Sequence, residues 1–398
     1  MVYDTMLFMK IAMAADLYWP TINGVATAAR TLAQGLAGRG HDVLVLAPSQ
    51  SGKPEVEMDG NIKIVRVRSI PFSFYQNFKI SLAPGMEVKK ALDDFEPDLI
   101  HIEMLLLISQ SAMRYGQKNN IPLVATNHAM PENLMDNLKL LSHVSRPINY
   151  VVRSSAARFY EKADIITMPT QSAIDGFSET GRVKKPLVAI SNGINLGQYK
   201  PEKADPKIYE KYNIPLDKPI VGHLGRLDGE KHLSVLVEAF SIVASENKDA
   251  YLVVVGDGTD AAHLKEYAHA YDISDRVIFT GRVSEEDKIE LHRVFDLYAI
   301  TSPVELQSIA TLESMASGNP VVAVDAMALG ELCQNERNGF LVEQDNPEQM
   351  AEAISKILDS EGLRREFSKE SIKISNDHAL DSTLDKYEKI YSDLVGTI

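Results

Sequence analysis

Short apolar runs rich in β-branched residues alternate with longer amphipathic stretches along the whole 398-residue chain. Runs that are apolar throughout are the mark of parallel strands covered on both faces, and the stretches between them carry helical spacing. In the first half the strands read as KIAMAAD (10–16), HDVLVLAP (41–48), NIKIVRV (61–67), PDLIHI (97–102), PLVATNH (122–128), ADIITMPT (163–170) and PLVAIS (186–191). Helices are expected over 25–39, 85–95 and 104–119, and through a polar region ending near Lys162. At SNGINLGQYKPEK (191–203) turn residues and charges take over, which reads as a linker. A second series follows: KPIVGHLG (218–225), YLVVVGDG (251–258), RVIFTG (276–281), LYAITS (297–302), PVVAVD (320–325) and GFLVE (339–343). One amphipathic helix is expected over 375–395 at the end. The pattern predicts an α/β protein of two doubly wound domains, whose ligands sit at the carboxyl ends of strands. Two such domains facing each other would enclose a deep cleft.

Composition adds exclusions. The chain is 45% hydrophobic and 24% charged, without a low-complexity tract or an apolar run of membrane-spanning length. The first residues, with Asp4 and no basic cluster, do not read as a signal peptide. The single cysteine, Cys333, excludes an intramolecular disulfide framework and a cysteine-rich metal site, so a cytoplasmic setting is expected. The net charge of −14 argues against a nucleic-acid partner. Residues 1–192 carry 20 Lys and Arg against 18 Asp and Glu, and the remainder carries 21 against 37. The less acidic half is therefore where an anionic partner would be met.

Five stretches carry candidate chemistry. In GHLGRLDGEKH (222–232), Arg226 and Lys231 occupy a glycine-rich turn between a strand and a helix. Two cations there would hold a diphosphate, with Gly222, Gly225 and Gly229 admitting its backbone contacts. The plainer explanation is a solvated loop in which Asp228 and Glu230 pair with those cations. In DLYWPTINGVATAARTLAQGL (16–36), Gly24 opens a helix and leaves N–H groups for an anion, or Asn23 or Thr21 simply caps it. In VATNHAMPENL (124–134), His128 ends a strand, where imidazole suits proton handling or a sugar hydroxyl, with Glu132 and Asn133 adding polar groups. His101 and Glu103 are weaker candidates of the same kind, and a satisfied structural histidine is the plain alternative. In SPVELQSIATLESMASGNPVVAVD (302–325), Ser308 is placed to cap a helix starting at Ile309. Glu305 then precedes the helix and Glu313 lies beyond the capping-box position, so capping explains neither. A carboxylate accepts two hydroxyl hydrogen bonds, as a sugar or ribose diol offers, and the N–H groups of Ile309 and Ala310 could meet a phosphate. In residues 133–164, Ile148, Val151, Val152 and Phe159 share one helical face, with Arg146 and Arg153 opposite and Arg158 and Lys162 near the boundary. That is either a basic face for an anionic bilayer or an ordinary helix packed on a sheet. Phe72, Phe74, Tyr75 and Phe78 offer a second lipid-facing patch, or core. No phosphate-binding G-x-x-x-x-G-K loop, zinc H-E-x-x-H or G-x-S-x-G elbow is present, and no D-x-D pair is placed to hold a metal-bound diphosphate.

In their order these residues resemble glycosyltransferase family 4, retaining enzymes of the GT-B fold. The N-G-V loop, strand-end His128, S-N-G-I-N linker, G-R-x4-K, V-G-D-G, F-x-G, E-x7-E and closing helix span nearly the whole chain. The resemblance implies two Rossmann-like domains across a central cleft: an acceptor domain over 1–192 joined by a crossing helix at 376–398, and a nucleotide-sugar domain over 193–375. It implies that Arg226 and Lys231 neutralise the donor diphosphate, that Glu305 touches the sugar hydroxyls and Glu313 the ribose. It places Gly24 near the phosphate, His128 near the reacting carbon, and Arg282 and Val283 beside the base. Glu305 followed by Leu-Gln-Ser, Asn23 in place of a first glycine, and N-H-A-M-P-E-N-L resemble the branch that glucosylates diacylglycerol. The expected activity is retaining hexosyl transfer, glucose foremost, from a donor such as UDP-glucose or GDP-mannose to a lipid hydroxyl. No metal or other cofactor is implied. The enzyme is expected to be cytoplasmic and peripheral at an anionic membrane surface, with Arg146, Arg153, Arg158 and Lys162 on the acceptor or membrane side. The rivals are a GDP-mannose-dependent mannosyltransferase acting on a phosphatidylinositol-type or soluble acceptor, a sugar-nucleotide epimerase of the same fold, and a non-enzymatic nucleotide-sugar binder.

Overall fold

The structure, a computed structural model, describes residues 8–21, 23–72, 78–128, 145–179 and 182–396, with the backbone alone for 145–152. Glu132, Asn133, Phe74 and Tyr75 lie outside the described residues, as do the side chains of Arg146, Ile148, Val151 and Val152. The chain divides into two units: Met1–Gly193 with Leu380–Ile398, and Ile194–Ala379.

The first unit contains, in chain order, β1 (Lys10–Ala14), α1 (Gly24–Gly38), β2 (Asp42–Pro48), β3 (Glu55–Asp59), β4 (Ile62–Val67), α2 (Gly85–Phe95) and β5 (Leu99–Ile102). It continues with α3 (Leu107–Asn119), β6 (Leu123–Thr126), α4 (Ser145–Tyr160), β7 (Ile165–Met168), α5 (Gln171–Ser178) and β8 (Leu187–Ala189). Its sheet runs β8-β7-β6-β5-β1-β2-β4-β3, parallel except where β3 pairs antiparallel with β4. The central strands are buried along their length, β5 and β6 throughout and β1 from Ile11 onward. The chain steps from β1 outward to β2 and later returns to lay β5 on the other side of β1, so the topological switch falls between β1 and β5.

The second unit contains α6 (Pro206–Tyr212), β9 (Ile220–Leu224), α7 (Leu233–Glu246), β10 (Tyr251–Val255), α8 (Ala261–Ala270), β11 (Val277–Gly281) and α9 (Glu285–Val294). Then come β12 (Leu297–Ile300), α10 (Ile309–Ala316), β13 (Val321–Val324), α11 (Leu329–Leu332), β14 (Gly339–Val342), α12 (Pro347–Leu358) and α13 (Glu361–Asn376). Its sheet, β11-β10-β9-β12-β13-β14, is parallel throughout, and its switch lies between β9 and β12.

The last helix, α14 (Leu380–Val395), belongs to the first unit. Leu384, Tyr387 and Tyr391 enter the same core as Met13 and Val45. On its outer side Arg39 reaches Asp381, Asp385 and Glu388 at 3.2, 2.6 and 2.6 Å, acids spaced along one face of the helix. The single closing helix expected over 375–395 is in fact two. Ile194 donates its N–H to the His378 carbonyl at 2.9 Å and pairs in a β-bridge with Ala379, which takes those residues out of helical geometry.

Candidate active site

In the second unit the switch point brings together the loops after β9 and β12. Thr301 Oγ1 donates to the Lys231 carbonyl at 2.8 Å, tying the two loops. Lys231 Nζ donates to Glu305 Oε1 at 2.8 Å and lies 3.4 Å from Ser302 Oγ and 3.7 Å from Glu230. Burial opposes the charge on Lys231, but Glu305 and Glu230 outweigh it and hold the ammonium above the usual lysine range. Burial likewise opposes ionisation of Glu305, and Lys231 overrides it, keeping the carboxylate below the usual range. Arg226, by contrast, is about a third exposed and forks between Asp228 and Glu230. Arg226 thus has the carboxylate partners that a solvated loop would give it, while Lys231 is drawn inward.

Two glycines here are required by the fold itself, Gly222 of β9 and Gly256 after β10. A Cβ on Gly222 would lie 2.1 Å from the Phe295 ring, and one on Gly256 (φ 133°) would lie 1.9 Å from the Gly225 carbonyl oxygen. These positions let the chain pack on itself: Gly225 N–H donates to the Val255 carbonyl at 3.0 Å, and Leu227 N–H to that of Asp257 at 3.1 Å. Gly229 alone faces open space.

Ser308 caps α10 as expected, accepting from the Thr311 N–H at 3.3 Å. The Ile309 and Ala310 N–H groups open the first turn at the positive end of the helix dipole. Glu313 sits deeper, buried between Lys288 Nζ at 2.8 Å and His292 Nε2 at 3.5 Å. Burial opposes its charge, Lys288 and His292 prevail, and its pKa falls to about 2. Lys288 and His292 had no signal in the sequence, because they reach Glu313 from α9. His223, a β9 residue not singled out from sequence, donates its Nδ1–H to the Ala299 carbonyl, 2.8 Å away. Burial pushes its pKa down to about 4, so it is neutral near pH 7. After β11, Arg282 lies 3.5 Å from Asp257 and is largely exposed, while Val283 packs half-buried against the core.

In the first unit the ends of β5 and β6 place Glu103 beside His128, with His128 Nε2 2.7 Å from Glu103 Oε2. His101 is instead a satisfied core residue, with Nδ1 2.6 Å from the Tyr391 hydroxyl and Nε2 2.6 Å from Thr126 Oγ1. It is thereby removed from the candidates. Asp16, also missed from sequence, follows the end of β1 and accepts the Ile108 and Ser109 N–H groups of α3 at 2.9 and 3.0 Å. Burial raises its pKa to about 6 despite those bonds. At α1 the capping explanation holds, since Asn23 Oδ1 accepts the Ala26 N–H at 2.8 Å. A Cβ on Gly24 would meet nothing within 4 Å, so no protein contact demands glycine there.

The C-terminal half of α4 packs through Ala156, Ala157, Phe159 and Tyr160, as an ordinary helix on a sheet does. Arg153 is half-buried on it, while Arg158 and Lys162 are exposed. Arg158 and Lys162, with Arg114, line a cleft of about 430 Å³ together with Leu105, Met113 and Phe159. Phe72 and Phe78 pack edge to face at 5.6 Å. Among the described residues no helix is long and apolar enough to cross a membrane, and no cluster of His, Cys, Asp or Glu is placed to hold a metal.

Two doubly wound units, each with polar side chains at the carboxyl ends of its switch-point strands, define the GT-B fold of glycosyltransferases. The family models agree: residues 22–198 match Glycosyltransferase Family 4 and residues 204–374 match Glycosyl transferases group 1. The chain belongs to the glycosyltransferases of family 4 and is a hexosyltransferase. It is 27% identical to the alpha-monoglucosyldiacylglycerol synthase of Streptococcus pneumoniae, over 84% of this chain and 75% of that protein. It is 25% identical to a GDP-mannose-dependent alpha-mannosyltransferase of Mycolicibacterium smegmatis, over 85% of each. The sucrose-phosphate synthase structure from Thermosynechococcus elongatus superposes with a TM-score of 0.81 at 20% identity, covering 98% of this chain and 99% of that one.

Proposed function

We propose that this enzyme transfers glucose, with retention of configuration, from a nucleoside diphosphate donor to a glycerolipid hydroxyl such as that of diacylglycerol at a membrane surface. The observation that carries the donor half is the Lys231–Glu305 pair at the second unit's switch point. It offers one ammonium for phosphate oxygens and one carboxylate for sugar hydroxyls, beside the N-terminus of α10. Glu313 serves the ribose, Arg282 and Val283 flank the base, and Arg226 exchanges its carboxylate partners for the diphosphate. Lys231 and the helix terminus stabilise the charge that develops as the bond from C1 to the diphosphate breaks. The acceptor oxygen bonds to C1 on the same face, and its proton passes to the departing phosphate oxygen. In the first unit, Gly24 leaves room for phosphate and His128 contacts the sugar near the reacting carbon.

Glucose and a lipid acceptor rest on the similarity to the diacylglycerol-directed relative and on the Leu-Gln-Ser after Glu305. The basic rim of Arg114, Arg158 and Lys162 in the less acidic half supports an anionic surface. The deciding experiment incubates the enzyme with UDP-glucose or GDP-mannose and diacylglycerol vesicles and reads products by mass and anomeric configuration. An α-glucosyl lipid from UDP-glucose is expected. Transfer from GDP-mannose alone replaces glucose by mannose, and an epimerised donor without acceptor turnover overturns the transfer.

A further inference from the structure

The buried carboxylate of Glu103 has a use that neither packing nor charge pairing explains. Its side chain is 1% exposed, and that of His128 is 6% exposed. Its backbone extends the β5–β1 pairing, donating N–H to the Ala14 carbonyl at 3.0 Å, so the group stands on rigid sheet at the switch point. Oε2 lies 2.7 Å from His128 Nε2. Oε1 has no hydrogen-bond partner among the described residues. The other imidazole nearby, His101, stands 3.7 Å from Oε1 and spends both ring nitrogens on the hydroxyls of Tyr391 and Thr126. Burial draws its pKa down, so it supplies no cation. A carboxylate buried with half its acceptor capacity unfilled lowers stability relative to an apolar side chain. Such groups persist where they orient chemistry.

We infer that Glu103 is a positioning residue for His128: its carboxylate accepts a hydrogen bond from the imidazole Nε2–H and leaves Nδ1 as the ring nitrogen that meets the ligand. An ionised carboxylate only accepts, so the hydrogen must sit on Nε2. The inference rests on the proposed role of His128 at the sugar, and its test separates the two.

The measurement is an imidazole 15N–1H correlation spectrum of the full-length protein labelled in histidine, with the His128 signals assigned by loss in His128→Gln. The wild type is expected to show the Nε2–H tautomer with a downfield, hydrogen-bonded proton. Glu103→Gln, which keeps the shape, is expected to shift that tautomer balance and lower kcat about tenfold to hundredfold, with the donor KM nearly unchanged. Glu103→Asp should recover part of the loss. An Nδ1–H tautomer in the wild type overturns the inference without any variant having to fold. So does a Glu103→Gln enzyme with wild-type kcat and pH profile. Wild-type turnover in His128→Gln, with the Nε2–H tautomer present in the unaltered protein, instead overturns the functional reading of His128.

Discussion

The two units solve the same topological problem with opposite chemistry. At the second unit's switch point the polar groups are full charges in pairs, Lys231 with Glu305 and Lys288 with Glu313, at 2.8 Å each. At the first unit's switch point the described groups are the carboxylates of Glu103 and Asp16, two imidazoles and hydroxyls, joined by short hydrogen bonds, with no lysine or arginine in these bonds among the described residues. Fixed cations suit a ligand whose charge never leaves it, such as a diphosphate. Imidazoles suit a site where hydrogens are placed and moved. The sharpest way to break this contrast is Lys231→Ala. It removes the inward-drawn cation of the loop after β9 and leaves the half-buried Glu305 carboxylate without its lysine partner. Turnover is expected to fall at least tenfold and toward about 10²–10³-fold, the scale of losing one preorganised stabilising group. Initial rates at saturating donor check it, and an unchanged rate removes the diphosphate assignment.

The contrast extends to acid. Burial sets His223 at about 4, below the ordinary 6.5, so the folded second unit binds fewer protons than the unfolded chain between those values. That stability is complete above about pH 6.5 and is lost as pH falls to about 4, amounting to about 3 kcal/mol. Glu313, lowered to about 2 from 4.5, continues the loss further into acid. Asp16 in the first unit runs the other way. Raised from 3.8 to about 6, it favours the folded state at low pH and loses that contribution as pH rises through about 6. In thermal unfolding of the full chain from pH 4 to 7, His223→Gln should flatten the fall on acidification, and Asp16→Asn should steepen the net fall. Unchanged slopes would falsify the burial argument for both groups.

These pairs also mark where sequence reading ended. Strand cores such as LVVV and VVAV announced the sheets because burial on both faces leaves an unbroken apolar run, and Ser308 announced its helix because capping is local. Glu305 and Glu313 stood out because no local rule explained them. Their partners Lys231 and Lys288 lie 74 and 25 residues away, so only the fold could pair them. His101 and His128 looked alike as strand-end histidines. The hydroxyls of Thr126 and Tyr391 separate them, and Tyr391 comes from the far end of the chain. The glycines after Ile220 hold a similar ambiguity, since a close approach of the chain to itself leaves the same trace in sequence as one of backbone to ligand.

Gly222 turns that last ambiguity into a measurement. If its role is to admit the Phe295 ring, Gly222→Ala should destabilise the chain by about 1–3 kcal/mol, the range for overpacking a filled core. Donor affinity of the folded fraction should stay the same. A loss of donor affinity without a drop in unfolding midpoint would return Gly222 to the ligand and make the second unit's loop less self-packed than described.

The smallest expected effect tests whether the first unit's chemistry also faces an anionic surface. Arg158 and Lys162 are exposed and, with Arg114, line a cleft shared with Leu105, Met113 and Phe159, in the half of the chain where basic residues slightly outnumber acidic ones. A basic side chain near an anionic bilayer contributes about 1 kcal/mol, and salt screens it within a Debye length. Arg158→Ala should therefore weaken sedimentation with vesicles containing anionic lipid about fivefold at low salt and less at high salt. Binding to purely zwitterionic vesicles should not change. Turnover on a detergent-dispersed acceptor should match the wild type, because the substitution leaves both switch points intact. A salt-independent loss, or an equal loss on zwitterionic vesicles, would assign the cleft to apolar packing. Unchanged binding would move the membrane-facing surface away from this face of the first unit.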